Sequence, residues 1–295
     1  MPSFVDRIAP QAEWRLMHRL ADAAAPSIVR VLHRAWWGPE DETTWGTVIA
    51  RLKASDAIGG VDAVDVEELA RRLWTGVWPK IYAVYLRAGQ IVTRQAMRGE
   101  LRKAAHVQTA FNETNPRAVA WAQRHAARFV TEITRETREG IRRFITDAFV
   151  QQVPPVKLVR QLREVIGLTS RQVDTLSRQR DQWVEAGLSE STVLKRMEFA
   201  SARALRERSW VIARTETMAA SNAGQVDAWG VARSEGLLDA DLVKEWIVTP
   251  DDRLCPECEP LDGEQVALDE AFPGGVYQPP LHPNCRCAVG MNSPR

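Results

Sequence analysis

Cys255-Pro256-Glu257-Cys258 and Leu281-His282-Pro283-Asn284-Cys285-Arg286-Cys287 are the two stretches on which the reading of this chain turns. They hold all four cysteines of the sequence and one of its five histidines. Around them the chain is rich in proline and glycine, with Pro273, Gly274, Gly275, Pro279, Pro280 and Pro283. A segment of that composition has little core of its own, so something besides packing must hold it together. CxxC followed by HxxCxC suits a tetrahedral structural ion, with thiolates at about 2.3 Å and imidazole at about 2.0–2.1 Å. Structural Zn2+ is therefore the expected cofactor. A disulfide and free thiols are the alternatives, and clustered cysteines in a reducing cytoplasm favour the metal.

Cys255 and Cys258 are the firmest members of the ligand set. His282 and Cys285 have the spacing of a turn that presents both side chains to one point. Cys285 and Cys287 are two apart, so in an extended chain they point to the same side. The expected set is Cys255, Cys258, one of Cys285 or Cys287, and His282; four thiolates are the close alternative. Either choice fills the coordination sphere and leaves no open position for a substrate, which argues against a catalytic ion.

Working outward, Val243–Thr249 is rich in β-branched and aromatic residues and reads as a strand. Glu264–Leu268 reads as a shorter second strand, and Leu261-Asp262-Gly263 as a turn that places Gly263 at positive φ. Upstream the spacing turns helical. A long helix is predicted from Ser191 to Ala232, and another from Arg117 to the Pro154-Pro155 pair. Between them, a short helix through Val156, Val159, Leu162 and Ile166 stops at Gly167, and the Thr169-x-x-Gln172 capping box opens the next. Residues 1–115 read as helices interrupted at Pro26, Trp36–Pro39, Gly59-Gly60 and Pro79. The expected fold is mainly α: helical N-terminal and middle regions with a small C-terminal α+β zinc-binding module. The domains are expected at 1–115 (N-terminal helical region), 116–236 (long-helix middle domain) and 237–295 (zinc-knuckle module with a short β-hairpin).

The formal net charge of +1 gives no global signal for nucleic acid or membrane. Locally, residues 157–214 carry twelve Lys or Arg against seven acids, and residues 251–295 carry eight acids against three Arg. No apolar run is long enough to span a bilayer, and Met1–Leu20 lacks the continuous apolar stretch of a signal peptide. No Gly-rich phosphate loop, HExxH or GxSxG is present. His18, His33, His106 and His125 lie scattered on predicted helices. The chain is therefore expected not to be an enzyme.

The residues also carry a resemblance. Ile212-Ala213-Arg214-Thr215-Glu216-Thr217 with Asn222-Ala223-Gly224, then Trp246 through Asp252-Arg253, Cys255–Cys258 and Leu261-Asp262-Gly263, then Pro280–Cys287, resemble the phage head morphogenesis domain. That is the family of minor head proteins similar to protein F of phage Mu. The strong likeness covers residues 210–289, and a weaker helical one reaches back to about residue 117. The resemblance implies a minor head protein of a tailed bacteriophage, located in the virion at the capsid interior or portal vertex after assembly in the host cytoplasm. The implied partners are the portal protein and/or the major capsid protein, with weak electrostatic contact to packaged DNA and no membrane. It marks Arg214, Glu216, Asn222, Asp252, Asp262 and Gly263 as motif residues. Arg214 and Glu216, two apart and so on different sides of a helix, are implied to tie the long helix to the zinc module through different partners. The competing readings are a zinc-supported phage nuclease or delivered toxin, and a non-specific DNA-binding virion protein using the Arg-rich helix Arg117–Phe149.

Overall fold

Apolar side chains recur at helical spacing over most of the chain, and a computed structural model shows the elements they form. It describes residues 10–36, 42–54, 56, 59, 64, 66–97, 111–151, 154, 158, 161–249 and 255–292. The helices are α1 (Pro10–Trp36), α2 (Glu42–Lys53), α3 (Val66–Arg72), α4 (Trp78–Met97), α5 (Pro116–Val150), α6 (Ser170–Glu185) and α7 (Glu190–Ser234). A single sheet of β1 (Val243–Ile247), β2 (Gln265–Ala267) and β3 (Ala288–Asn292) follows. The architecture is mainly α with a small α+β part at the C-terminal end.

Two proline expectations are corrected. α1 runs unbroken through Pro26. Met17, Ala21, Ala25, Ile28 and Leu32 are all buried along its length, and their burial outweighs the roughly 3 kcal/mol that an interior proline costs. Pro79 does not separate two helices either. α3 passes through a π-helical turn, Leu73–Val77, directly into α4. The wider turn lies just ahead of Pro79, where the ring would otherwise crowd the preceding carbonyl.

Other local signals act as their chemistry dictates. Thr169 caps α6: its hydroxyl accepts the Gln172 amide at 3.4 Å, and Gln172 Oε1 accepts the Thr169 amide at 3.0 Å. Gly167 turns the chain at φ +81°. Most of the short helix expected before it lies outside the described residues. Outward-facing arginines of α5 pair with carboxylates four residues on, Arg128 with Glu132 and Arg135 with Glu139. That face is a solvated, charge-paired surface.

The described chain forms two compact units, neither a contiguous stretch. One comprises residues 29–77 and 126–209. Within it Arg208 is buried and pairs with Glu136 at 2.7 Å. The same guanidinium lies 5.0 Å from the Trp36 ring centroid and donates to the Gly167 carbonyl. Burial pushes its pKa down while the Glu136 charge opposes that shift.

The other unit comprises residues 1–28, 78–125 and 210–295 and contains the sheet. Every residue from Thr217 to Gln225 is buried, because small side chains let neighbours close around α7 on all sides. Gly224 is the tightest point: a Cβ there would stand 2.1 Å from the Tyr85 carbonyl oxygen of α4. Tyr85 stacks on Trp121 at 4.2 Å, and Trp121 on His125 at 4.6 Å. The Tyr85 hydroxyl donates to Asp227 at 2.8 Å.

The sheet order is β2-β1-β3, all antiparallel. Lys244 of the central strand lies between Val266 and Met291 and is fully buried. Its ammonium donates to the Tyr277 carbonyl at 2.8 Å and lies 5.3 Å and 5.4 Å from the Phe272 and Tyr277 ring centroids. Burial pulls its pKa down to about 8. Glu245 Oε2 accepts from Gln265 and Asn292, each at 2.7 Å. The two-strand hairpin expected from sequence is thus joined by a third strand, β3, on the other edge of β1.

Candidate metal centre

The knuckle is built by local turns. The Cys258 and Glu259 amides both donate to the Cys255 carbonyl at 3.0 Å, which folds Cys255–Cys258 back on itself. A short 3-10 turn, Glu259–Leu261, leads into Asp262-Gly263. Gly263 takes φ +75°, and its amide donates to the Trp246 carbonyl at 2.9 Å. The Trp246 amide returns a bond to Glu264 at 2.9 Å, and Asp262 Oδ1 accepts the Val248 amide at 3.3 Å. The turn therefore extends the β1–β2 ladder and fixes the knuckle to the sheet.

The second half of the site enters through Asn284, whose φ of +62° is tolerated by a short polar side chain. Its amide donates to the Thr215 hydroxyl of α7 at 2.8 Å. Asn222 secures the exit. Its Oδ1 accepts the Val289 amide at 3.0 Å, and its Nδ2 donates to Cys287 O at 3.5 Å and Met218 O at 2.9 Å. Gln225 Nε2 donates to Val289 O at 3.2 Å. Side chains of α7 thus bond the backbone where β3 begins.

These anchors gather five potential metal ligands into two overlapping groups of three. Ligand atoms of Cys255, Cys258 and His282 lie within 4.8 Å of one another, as do those of Cys258, Cys285 and Cys287. Cys258 Sγ belongs to both groups, 3.2 Å from His282 Nε2 and 3.8 Å from Cys285 Sγ. Two thiolates at about 2.3 Å from a tetrahedral ion stand about 3.8 Å apart. The Cys258–Cys285 separation therefore fits joint ligation and is far too long for a disulfide. All four cysteines are free thiols. His282 Nδ1 lies 2.9 Å from the Pro283 carbonyl. A proton on Nδ1 makes that bond and leaves the Nε2 lone pair facing the sulfurs, the orientation a ligand needs.

Electrostatics point the same way. The Cys285 thiol is pulled down to about 5, chiefly because Cys287 hydrogen-bonds to it. Burial, with the Cys285 charge close by, pushes Cys258 up to about 12. The Cys285 hydrogen bond and burial push Cys287 up as well. Three crowded thiols cannot all ionise on their own, and a divalent cation removes that repulsion. Among the described residues the buried Trp246 indole N–H has no other partner, and its approach to Cys287 favours the thiolate form of that residue. The cluster could hold a metal ion.

The remaining motif residues fall elsewhere. Asp252 lies outside the described residues. Glu216 pairs with His125 of α5 at 2.5 Å, both side chains largely buried. α7 passes close to α5 at that level, and His125 is the basic group within reach. Arg214 lines a cleft beside the Cys285–Cys287 loop.

Sequence reasoning missed the support from α1. The Arg286 carbonyl, between two candidate ligands, accepts three hydrogen bonds. They come from Trp14 Nε1 at 3.0 Å, His18 Nε2 at 2.8 Å and the Thr249 hydroxyl at 3.0 Å. Burial lowers the pKa of His18 and favours the neutral imidazole, which makes its bond from Nε2–H. Trp14 and His18 are four apart and share a helix face, but nothing in the sequence ties that face to residue 286.

No helix among the described residues is long and apolar enough to cross a membrane. No curated protein and no solved structure matches the chain. Residues 158–290 match the family described as Phage Mu protein F like protein. The match takes in α6, α7, β1, β2, the start of β3 and all five candidate Cys/His ligands, and it begins well downstream of residue 117. This likeness over residues 158–290, a little under half of the chain, supports a protein of the phage head morphogenesis type.

Proposed function

We propose that the protein is a minor, non-enzymatic head component of a tailed phage, and that its C-terminal module folds around one structural Zn2+. In this reading Cys255, Cys258, His282 and Cys285 are the ligands. Cys285 takes the fourth place because its sulfur stands at a ligation distance from Cys258. Cys287 lies beside them, and its carbonyl is held by Asn222. When bound, the ion supplies a cross-link between the knuckle and the loop before β3, in a segment with little core. Four protein ligands leave no site for hydrolytic water.

The observation that carries the reading is the coincidence of the family segment with the Cys/His cluster anchored on α7. The helical body offers length and a docking surface, and the cross-linked module offers a rigid recognition element for the portal or the inner capsid. Quantitative mass spectrometry of purified particles tests the role. The expected result is a copy number far below that of the major capsid protein. Complete absence from mature particles would reject a virion position.

A further inference from the structure

α6 and the first part of α7 form an antiparallel hairpin that lies wholly within the unit of residues 29–77 and 126–209. Gly187, at φ +73°, reverses the chain between them. Two contacts fix their register. Gln172 Nε2 donates to the Ala204 carbonyl at 3.2 Å toward one end, and the Arg196 guanidinium lies 5.8 Å from the Trp183 ring centroid toward the other. A groove of about 750 Å3 runs along this hairpin. Its lining on α6 extends from Arg171 to Trp183, roughly 18 Å at 1.5 Å per helical residue.

The lining has two kinds of side chain. Leu176, Ala200 and Ala204 make it apolar, and the aromatic rings of Trp183 and Phe199 add to that surface. Phe199 is 73% exposed, so its ring keeps apolar area in water that burial against a partner would remove favourably. The charged lining residues are Arg171, Lys195, Arg196 and Arg203 against Glu207, and Glu207 pairs with Arg203 at 3.1 Å. The groove is therefore apolar with a net positive rim.

Shape and charge together select the occupant. A straight channel between two antiparallel helices fits a third helix, whose apolar row at i, i+3, i+4 and i+7 packs on the hairpin. The positive rim calls for carboxylates on the flanks of that row. A second copy of this hairpin, seated on its own groove by a two-fold axis, would bring the same cations face to face. A nucleic-acid strand needs free ring faces for its bases. Here the Trp183 ring has Arg196 beside it, and the other apolar groups are aliphatic.

We propose that this groove receives an acidic amphipathic helix of a partner protein. The test uses fluorescence anisotropy on the purified full chain, so its outcome does not depend on a head role. One probe is a labelled peptide of about 15 residues, long enough to span the groove as a helix, with leucines in the apolar row and glutamates elsewhere. A second peptide has lysine at every glutamate position, and the third probe is a short single-stranded DNA of mixed sequence. The variants are Phe199→Ser and the double substitution Lys195→Glu with Arg196→Glu. All three positions are exposed, and circular dichroism with a denaturant midpoint confirms that each variant is folded.

The expected result is saturable binding of the acidic peptide that raises its helical signal, with the basic peptide at least about tenfold weaker. Each variant is expected to weaken the acidic peptide about tenfold or more, and added salt to weaken it further. Hydrogen exchange of the complex is expected to slow along residues 171–183 and 192–207. Failure of the folded wild-type chain to bind the acidic peptide, or equal binding of both peptides, would overturn the proposal. So would variants that bind as the wild type does. DNA that binds more tightly than the peptide and is lost in the same variants would reassign the groove to nucleic acid. A wild-type dimer in sedimentation that Phe199→Ser dissolves would reassign it to a second copy.

Discussion

Asn222 Oδ1 accepts the Val289 amide at 3.0 Å, and the same side chain donates to the Cys287 carbonyl, so one buried amide brackets Ala288 on both sides. An asparagine on α7 thus bonds β3 on the backbone groups a further strand would use. Asn222→Ala leaves a buried N–H and C=O without these partners. The expected loss is about 2–3 kcal/mol of stability, read as a lower denaturant midpoint. A change below about 0.5 kcal/mol, the size of an ordinary surface substitution, would show that the bracket contributes nothing.

Gly224→Ala has an expected sign opposite to the usual one. In an exposed helix the substitution stabilises by about 1 kcal/mol. Here the new Cβ would meet the Tyr85 carbonyl oxygen at 2.1 Å. Backbone cannot rotate away as a side chain does, so a net loss of about 1–3 kcal/mol is expected. A stabilised variant would contradict the close approach of α7 and α4.

The His125–Glu216 pair couples α5 to α7 at 2.5 Å with both partners largely buried. Removing either leaves the other poorly solvated. His125→Ala and Glu216→Ala are each expected to lose about 2–3 kcal/mol, with the double variant losing little more. A double-mutant cycle measures this, and strict additivity would show that the two side chains act independently.

Lys244 gives a pH dependence. Its folded pKa, lowered by burial to about 8, lies below the unfolded value of about 10.4. Between those values the unfolded chain holds the proton and the folded chain has released it, so stability rises with pH. Relative to Lys244→Met, the wild-type chain is expected to gain stability from about pH 8 toward pH 10. Denaturant midpoints of both proteins across that range check it, and parallel curves would place the ammonium in a water-like setting.

Much of this architecture is legible in the sequence where local chemistry decides it. The Thr169–Gln172 capping box, the stop at Gly167 and the helical spacing of α5 and α7 act within one turn of chain. The Cys/His spacing carries part of the cluster because one turn brings Cys255 to Cys258, whereas His282 and the Cys285–Cys287 pair meet through Cys258. Three features escape such a reading because their causes are distant. β3 is a strand through its pairing with β1, not through its own Ala-Val-Gly-Met-Asn composition. Pro26 and Pro79 are tolerated through burial of α1 and the π turn before α4. The Trp14 and His18 clamp joins residues 272 and 268 positions apart from Arg286, a link no local pattern encodes.

One ion is expected to join the knuckle to the loop before β3. Elemental analysis of the full chain, purified without chelator, tests it most directly. The expected result is one equivalent of zinc per chain, lost in Cys258→Ser together with sheet structure, while most helical signal remains. A wild-type chain that carries no metal, reacts at all four thiols and keeps the sheet intact would contradict it.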